Sequence, residues 1–390
     1  MRIVVIFLKV KNLAIDLFAL LFIGLSVGCT LGIVSNFFVK GVASATNLRR
    51  TLFSDSIISS FTPIISLLIA AVIIILIRKV FNITRWHGPP DAILAAHQSN
   101  NSIDVKRGLG STLTAFVSAS GGASVGQYGP LVHFGATVAT FLENFTSKRL
   151  PPGIFIGCGV AAAISAGFNA PIAGLVFAHE AVLRHFSLRA GGAIAISSIT
   201  ASTIGSGVFK ETLGLKIIAD APPLIEIVPI VLICSPIFGV LAIFFMYSIR
   251  LGGKISKASR LSPSYQILFA ALICGSIGLF VPEILGLGTN EMNNIFANQY
   301  EIIFLFIILI GKVFMTSLCI GFGFFGGIFA PALYVGAASG GFIANTLIVM
   351  GFSLSLPALA LAGTAAVGAV AIGAPIATTL IILEFTGSYE

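Results

Sequence analysis

The sequence predicts an all-α integral membrane protein, a bundle of helices of which some are long enough to cross the bilayer and some are too short. Three observations predict this class: the poverty of charge, the length of the uncharged runs, and glycines and prolines that break those runs. Of 390 residues, 57% are hydrophobic and 9% are charged, whereas a soluble globular domain carries about a quarter charged residues. So high an apolar fraction also excludes a disordered chain. Runs of about 20 apolar residues span a bilayer core as helix. Ile57 to Ile77 has no charge, Ala221 to Tyr247 has one acid (Glu226), and the segment entered at Ile302 carries only Lys312 before the chain's last acids. The 42 glycines and 16 prolines are many for helices in water, but membrane helices tolerate them, above all broken helices around a pathway.

Taken in order, the predicted helices of the first half are Leu13–Ala45, Ile57–Val80, Pro90–Gln98, Leu109–Val117, Pro130–Asn144, Phe155–Ala166, Pro171–Arg184 and Ile194–Val208. The second half gives Ile225–Leu251, Tyr265–Phe280, Asn290–Asn298, Ile302–Cys319, Ala332–Val349, Leu356–Val370 and Pro375–Glu384. Several are too short to cross a membrane. Short, interrupted segments at corresponding places in two halves point to a transporter built from repeats.

The two halves are visible as a repeat. At an offset of 204, Gly159, Ala161, Ala162, Ala170, Pro171, Ile172, Ala173 and Glu180 fall on identical residues within Gly363–Glu384. At an offset of 201, Gly126, Pro130, Gly135 and Ala136 fall on Gly327, Pro331, Gly336 and Ala337. Two blocks in the same order at nearly one spacing indicate duplication. The expected layout is a single transmembrane domain over 1–390, its first repeat about 1–210 and its second about 220–390.

The net charge of +8 fits basic residues in cytoplasmic loops. Arg2, Lys9 and Lys11 before the first span place the N-terminus inside. No stripe of Lys or Arg suggests nucleic acid. Met1–Lys11 lacks the small-residue cleavage site of a signal peptide. Cys29, Cys158, Cys234, Cys274 and Cys319 all lie in apolar segments without a CxxC pair, so burial is expected rather than disulfides or a metal site.

The chemistry lies at three helix starts. An anion in a membrane needs donors to replace its water, and a pathway needs binding weak enough to release it. Helix N-termini meet both conditions, with free backbone N–H groups and a partial positive charge. Trp86-His87-Gly88-Pro89-Pro90-Asp91, Gly126-Gln127-Tyr128-Gly129-Pro130 and Gly326-Gly327-Ile328-Phe329-Ala330-Pro331 each combine Gly and Pro before a helix. Proline suits the first helical turn, and glycine allows close approach of backbone to ligand. The second and third occupy equivalent places in the two repeats.

These motifs carry a family resemblance. Gly327-Ile328-Phe329-Ala330-Pro331 resembles the GxFxP motif of the CLC chloride channels and transporters, in its bacterial form. Gly126-Gln127-Tyr128-Gly129-Pro130 is similar to the family's GxEGP, and His87-Gly88-Pro89-Pro90 to GSGIP with histidine at the serine position. Phe168-Asn169-Ala170-Pro171-Ile172-Ala173-Gly174 and Leu383-Glu384-Phe385-Thr386 also fit, so the resemblance runs from residue 86 to the end. It implies a CLC-type inverted-repeat bundle, a homodimer with one pore per subunit, chloride or a similar anion as substrate, no cofactor, and a bacterial inner membrane. It also implies an anion held by the amides of Ile328 and Phe329, with His87 and Gly88 near the serine ligand's place. His87 is either a ring N–H donor to the anion or a structural histidine before a helix.

Departures from the family pattern bear on mechanism. The family's exchangers use the glutamate of GxEGP as a plug that carries protons; here that residue is Tyr128. A phenol with a pKa of about 10 does not cycle protons near neutral pH. Tyr128 is either an occluding or anion-contacting gate or a packed aromatic. The exchangers' inner, proton-relaying glutamate falls on Ala181, with Glu180 on the acid before it. Glu180 is placed to pair with Arg184 at i,i+4, the alternative being a proton route through His179 or Glu180. The sequence stops at Glu390, where the family continues into a helix whose tyrosine contacts the anion; the expectation is a second repeat lacking that last helix and no cytoplasmic CBS domains. The expectation is passive, channel-like conduction, with proton-coupled exchange by a non-standard route as the alternative. An enzyme reading finds little support. His179-Glu180 begins like the zinc motif HExxH, but the next histidine, His185, lies on another helix face at about 100° per residue.

Overall fold

A computed structural model describes residues 2–52, 61–98, 103–144, 151–209 and 223–387. Among them the first half forms α1 (Arg2–Leu52), α2 (Thr62–Val80), α3 (Pro89–His97), α4 (Val105–Gly121), α5 (Tyr128–Glu143), α6 (Pro152–Phe168), α7 (Pro171–Phe177) and α8 (Leu188–Phe209). The second forms α9 (Leu224–Ala258), α10 (Pro263–Gly278), α11 (Thr289–Phe296), α12 (Ile302–Gly321), α13 (Phe329–Val349), α14 (Leu356–Ile372) and α15 (Pro375–Thr386). Each predicted helix has its counterpart. The expected start of the second helix at Ile57 and the chain end at Glu390 lie outside the described residues. Among the described residues, six helices are long and apolar enough to cross a membrane: α1, α2, α8, α9, α12 and α13.

Local chemistry explains the starts. Proline occupies the first turn of α2, α3, α6, α7, α10, α14 and α15, where its missing N–H would have had no helical partner. The one substantial difference from expectation is at Pro171–Arg184. There α7 ends at Phe177, residues Ala178–Leu183 form a π-helical turn, and Arg184 is left-handed (φ 56). Glu180 and Arg184 are therefore not one α-turn apart.

The chain packs as two compact units. The first comprises Met1–Phe37, His87–Leu109 and Leu131–Leu213; the second comprises Phe38–Trp86, Gly110–Pro130 and Gly214–Glu390. Three helices, α1, α4 and α5, each contribute to both units. Within the first unit, Gly24, Gly28 and Gly32 at successive turns of α1 meet Ala193, Ser197 and Ala201 at successive turns of α8. A Cβ on Gly28 would come 2.7 Å from the Ser197 carbonyl oxygen, so these two backbones approach through small residues, as membrane helices do.

The duplicated blocks recur as duplicated geometry. In the first unit, a methyl on Gly135 or Gly159 would strike the other's carbonyl; in the second, Gly336 and Gly363 stand in the same relation. These are the four glycines that the offsets of 201 and 204 bring into register. Left-handed caps follow suit at Asn169 (φ 53) and Gly373 (φ 73), each followed by an alanine of similar backbone angles (Ala170, φ −125, ψ 78; Ala374, φ −136, ψ 75).

The second unit buries a cation. Lys312 is fully buried in the middle of α12, and its ammonium donates to the carbonyls of Ile284 (3.2 Å) and Gly286 (2.8 Å). The Nζ also lies 4.8 Å from the centre of the Tyr334 ring. Its charge is thus spread over backbone dipoles and a π face. Cys158, Cys234, Cys274 and Cys319 are buried as expected, while Cys29 lies on an exposed part of α1.

Candidate functional site

The starts of α5 and α13 are built alike. α4 and α12 are each followed within two residues by a glycine of positive φ, Gly122 (φ +94) and Gly323 (φ +115), a conformation that side chains with a Cβ resist. After each, the next amide returns to the helix end: Ala123 N–H donates to Ser118 O and Phe324 N–H to Cys319 O, both at 3.0 Å. The two chains then meet. Gly126 N–H donates to Gly327 O at 2.6 Å, and Gly327 N–H donates to Gly126 O at 2.5 Å. A Cβ would not fit on this bridge. On Gly126 it would lie 3.0 Å from Gly327 O, on Gly327 2.7 Å from Gly129 N, and on Gly326 2.5 Å from Val125 Cβ.

The helices leave this bridge directly. Tyr128, Gly129 and Pro130 open α5; Phe329, Ala330 and Pro331 open α13 after Ile328. No side chain caps α13, so its N-terminal dipole is left to other groups. Tyr128 and Gln127 are both buried, and the Gln127 side chain is a hydrogen-bond partner of the Tyr128 phenol. The structure thus brings together Gly126, Gln127, Tyr128, Gly129, Pro130, Gly327, Ile328, Phe329, Ala330 and Pro331.

The same unit gathers cations nearby. Trp86 stacks on Phe325 (centroids 5.4 Å apart), and the Arg78 guanidinium lies 5.5 Å from the Trp86 ring. Arg78, Lys79, Trp86, Ile267 and Gly323 line a cavity of about 400 Å³.

The start of α3 differs. The Asp91 carboxylate reaches back and accepts the Gly88 N–H at 2.9 Å, a capping box that supplies this terminus with its own anion. Gly88 is thereby committed to Asp91. His87 belongs to the first unit, its ring centre 6.1 Å from that of His133. His87, Asp91 and His133 hold ligand-type atoms within 4.8 Å of one another. Motif reading placed no metal ligands, and it passed over His133, which no local spacing connects with His87. The Gly88-to-Asp91 step was a cap signal that the Pro-Pro pair hid.

Glu180 and Ala181 sit in the π-helical turn, Glu180 half-buried. His179 is buried, its Nδ1 3.0 Å from Leu175 O and its ring stacked on Phe186 at 4.9 Å.

Comparison with known proteins agrees with this architecture. The family model described as voltage gated chloride channel matches residues 69–390. The H(+)/Cl(−) exchange transporter ClcA of Vibrio cholerae serotype O1 (strain ATCC 39541 / Classical Ogawa 395 / O395) is 28% identical over 395 residues, covering 96% of this chain and 83% of that one. The voltage-gated ClC-type chloride channel ClcB of Escherichia coli (strain SMS-3-5 / SECEC) is 26% identical over 389 residues, covering 94% and 91%. Among solved structures, a slow cyanobacterial Cl−/H+ antiporter superposes with a TM-score of 0.83 at 22% identity, covering 95% of this chain and 90% of that one. A CLC-type fluoride/proton antiporter superposes with a TM-score of 0.79 at 25% identity, covering 95% and 91%. The motifs, the all-helical fold and a family match over most of the chain together show that this protein belongs to the voltage-gated chloride channel family, the CLC family of membrane transporters and channels.

Proposed function

We propose that this protein passes chloride across the membrane passively, without coupled proton movement. One observation carries the reading: the reciprocal Gly126–Gly327 bridge clamps two glycine-rich helix starts together, and the α13 start has no side-chain cap. In this reading the amides of Ile328 and Phe329 hold the anion. Partial charges of about half a unit at a helix terminus bind an anion without trapping it. The one buried full cation among the described residues of the second unit, Lys312, is directed at carbonyls. Arg78 and Lys79 at the cavity beside Gly323 raise the local anion concentration. Tyr128 stands in the gate position and His87 in the place of the serine ligand. Gly88 contributes less than the motif implies, because Asp91 already takes its N–H.

The uncoupled reading follows from Tyr128 and Ala181, which replace the exchangers' two glutamates. A second reading, proton-coupled exchange, draws on the relative named as an exchange transporter and on the buried imidazole of His179. The same proposal includes a homodimer with one pore per subunit, inverted repeats divided near residue 210, a cytoplasmic N-terminus and a bacterial inner membrane.

Purified protein in chloride-loaded liposomes separates the readings. Chloride efflux is recorded electrically together with external pH. Efflux without proton movement is the expected result. Uphill proton movement at a fixed ratio to chloride would establish the second reading, and the absence of efflux from folded protein would refute both.

A further inference from the structure

From the first unit we infer that His87, Asp91 and His133 form a binding site for one divalent transition-metal ion of the zinc class. His87 lies two residues before α3 and Asp91 in its first turn, and His133 projects from α5. Their ligand-type atoms all lie within 4.8 Å of one another, with His87 Nδ1 3.9 Å from Asp91 Oδ1. Zinc bonds of about 2.0–2.2 Å to N and O in tetrahedral geometry place ligands about 3.3 Å apart. Side-chain rotations of about 1 Å therefore close the set around an ion.

The neighbours of the three groups prepare them for this role. Asp91 Oδ2 is fixed by the Gly88 N–H at 2.9 Å, which leaves Oδ1 as the oxygen on the His87 side. The Thr137 hydroxyl donates its proton to the His133 carbonyl at 2.8 Å, so its oxygen faces the His133 Nδ1, 3.5 Å away, as an acceptor. That arrangement selects the tautomer with the proton on Nδ1 and the lone pair on Nε2. Orientation of a ligand histidine through its other nitrogen is how metal sites set ring and tautomer. Gly108 of α4 closes another side: a Cβ there would lie 2.9 Å from both His133 Cε1 and Thr137 Oγ1.

The donor set selects the ion. Two imidazoles and a carboxylate suit zinc and its neighbours, whereas calcium and magnesium take oxygen ligands. Three protein ligands leave a fourth position open, which water or a halide fills. Bound metal also ties up His87, so occupancy is expected to slow chloride passage. That consequence rests on the functional reading above and is measured separately from binding.

The full chain, purified in detergent and treated with chelator, is titrated with Zn²⁺ by calorimetry and with Co²⁺ by visible absorption. The expected result is one ion per chain, with the intense Co²⁺ bands of a four-coordinate site. His87→Ala, His133→Gln and Asp91→Asn each weaken binding at least tenfold. The asparagine keeps an acceptor for the Gly88 N–H, so helix α3 stays capped. Thr137→Val weakens binding about 10- to 100-fold, as loss of an outer-shell partner does, and Thr137→Ser restores it. Each variant is scored only when its elution and melting match the unmodified protein, and Asp91→Asn and Thr137→Val decide if the histidine variants do not fold. No saturable binding, or binding indifferent to these substitutions, overturns the site. Binding without any slowing of chloride efflux overturns the regulatory consequence and leaves the site standing.

Discussion

Gly327→Ala is the sharpest test of the clamp between the two helix starts. The added methyl would lie 2.7 Å from Gly129 N and 3.2 Å from Gly129 Cα. Ordinary contact for a Cβ begins near 3.4 Å, so the two bridged segments must separate by about 0.7 Å. Both obstructing atoms are backbone at the first turn of α5 and cannot rotate away. A shift of that size stretches the 2.6 Å bond from Gly126 N–H to Gly327 O toward the limit of hydrogen bonding. Two weakened hydrogen bonds correspond to about 1–3 kcal/mol, the same range as overpacking a close-packed site. If about 1.4 kcal/mol of this falls on the ion-occupied state, chloride affinity drops about tenfold, and efflux at sub-saturating chloride falls with it. The assay pairs thermal melting in detergent with chloride efflux from liposomes. Gly239→Ala serves as the control, because a Cβ there meets nothing within 4 Å and alanine favours helix by about 1 kcal/mol. Melting and flux of Gly327→Ala indistinguishable from the unmodified protein would refute the argument that the bridge sets the geometry of the site.

Three further predictions follow from single side chains. Tyr128→Ala is expected to raise chloride efflux, and unchanged efflux from folded protein would reduce Tyr128 to a packing residue. Lys312→Met removes the donor to two buried carbonyls, Ile284 O and Gly286 O; a loss of about 1–3 kcal/mol for each stranded group is expected as a lower melting temperature, and a melt unchanged within error would show that the carbonyls find other donors. Gly135→Ala and Gly336→Ala, at equivalent places in the duplicated blocks, are expected to lower the yield of folded protein alike; a defect in only one would show that the two glycine crossings have different roles.

The helical elements were legible because membrane burial requires long apolar runs and because proline marks their starts. Paired motifs near residues 126 and 327 were legible as a repeat, yet their reciprocal hydrogen bonds were not. No local pattern reveals a contact between residues so far apart in sequence. The partners of Lys312 were hidden for the same reason, since they are carbonyls of an irregular turn. At Gly88 the Gly-Pro pattern read as an anion-binding end, and the return of Asp91, three residues on, to the Gly88 N–H was not read from it. The expected Glu180–Arg184 spacing presumed a regular α-helix, and the π-helical turn at Ala178–Leu183 removes that presumption. His133 carried no motif, and its nearness to His87 exists only after α3 and α5 have packed.

Lys312 also bears on how the chain enters the bilayer during synthesis. A lysine at the centre of a nascent helix adds about 2.5–3.5 kcal/mol to its insertion, whereas each Leu, Ile or Phe contributes about −0.3 to −0.6. α12 begins with the unbroken apolar run Ile302 to Ile310, enough to carry the lysine across the translocon exit. Ile284 and Gly286 are synthesised before Lys312, so their carbonyls precede the ammonium out of the ribosome. A charge that would be a liability in an isolated helix thus becomes a latch, holding α12 to backbone that is already made.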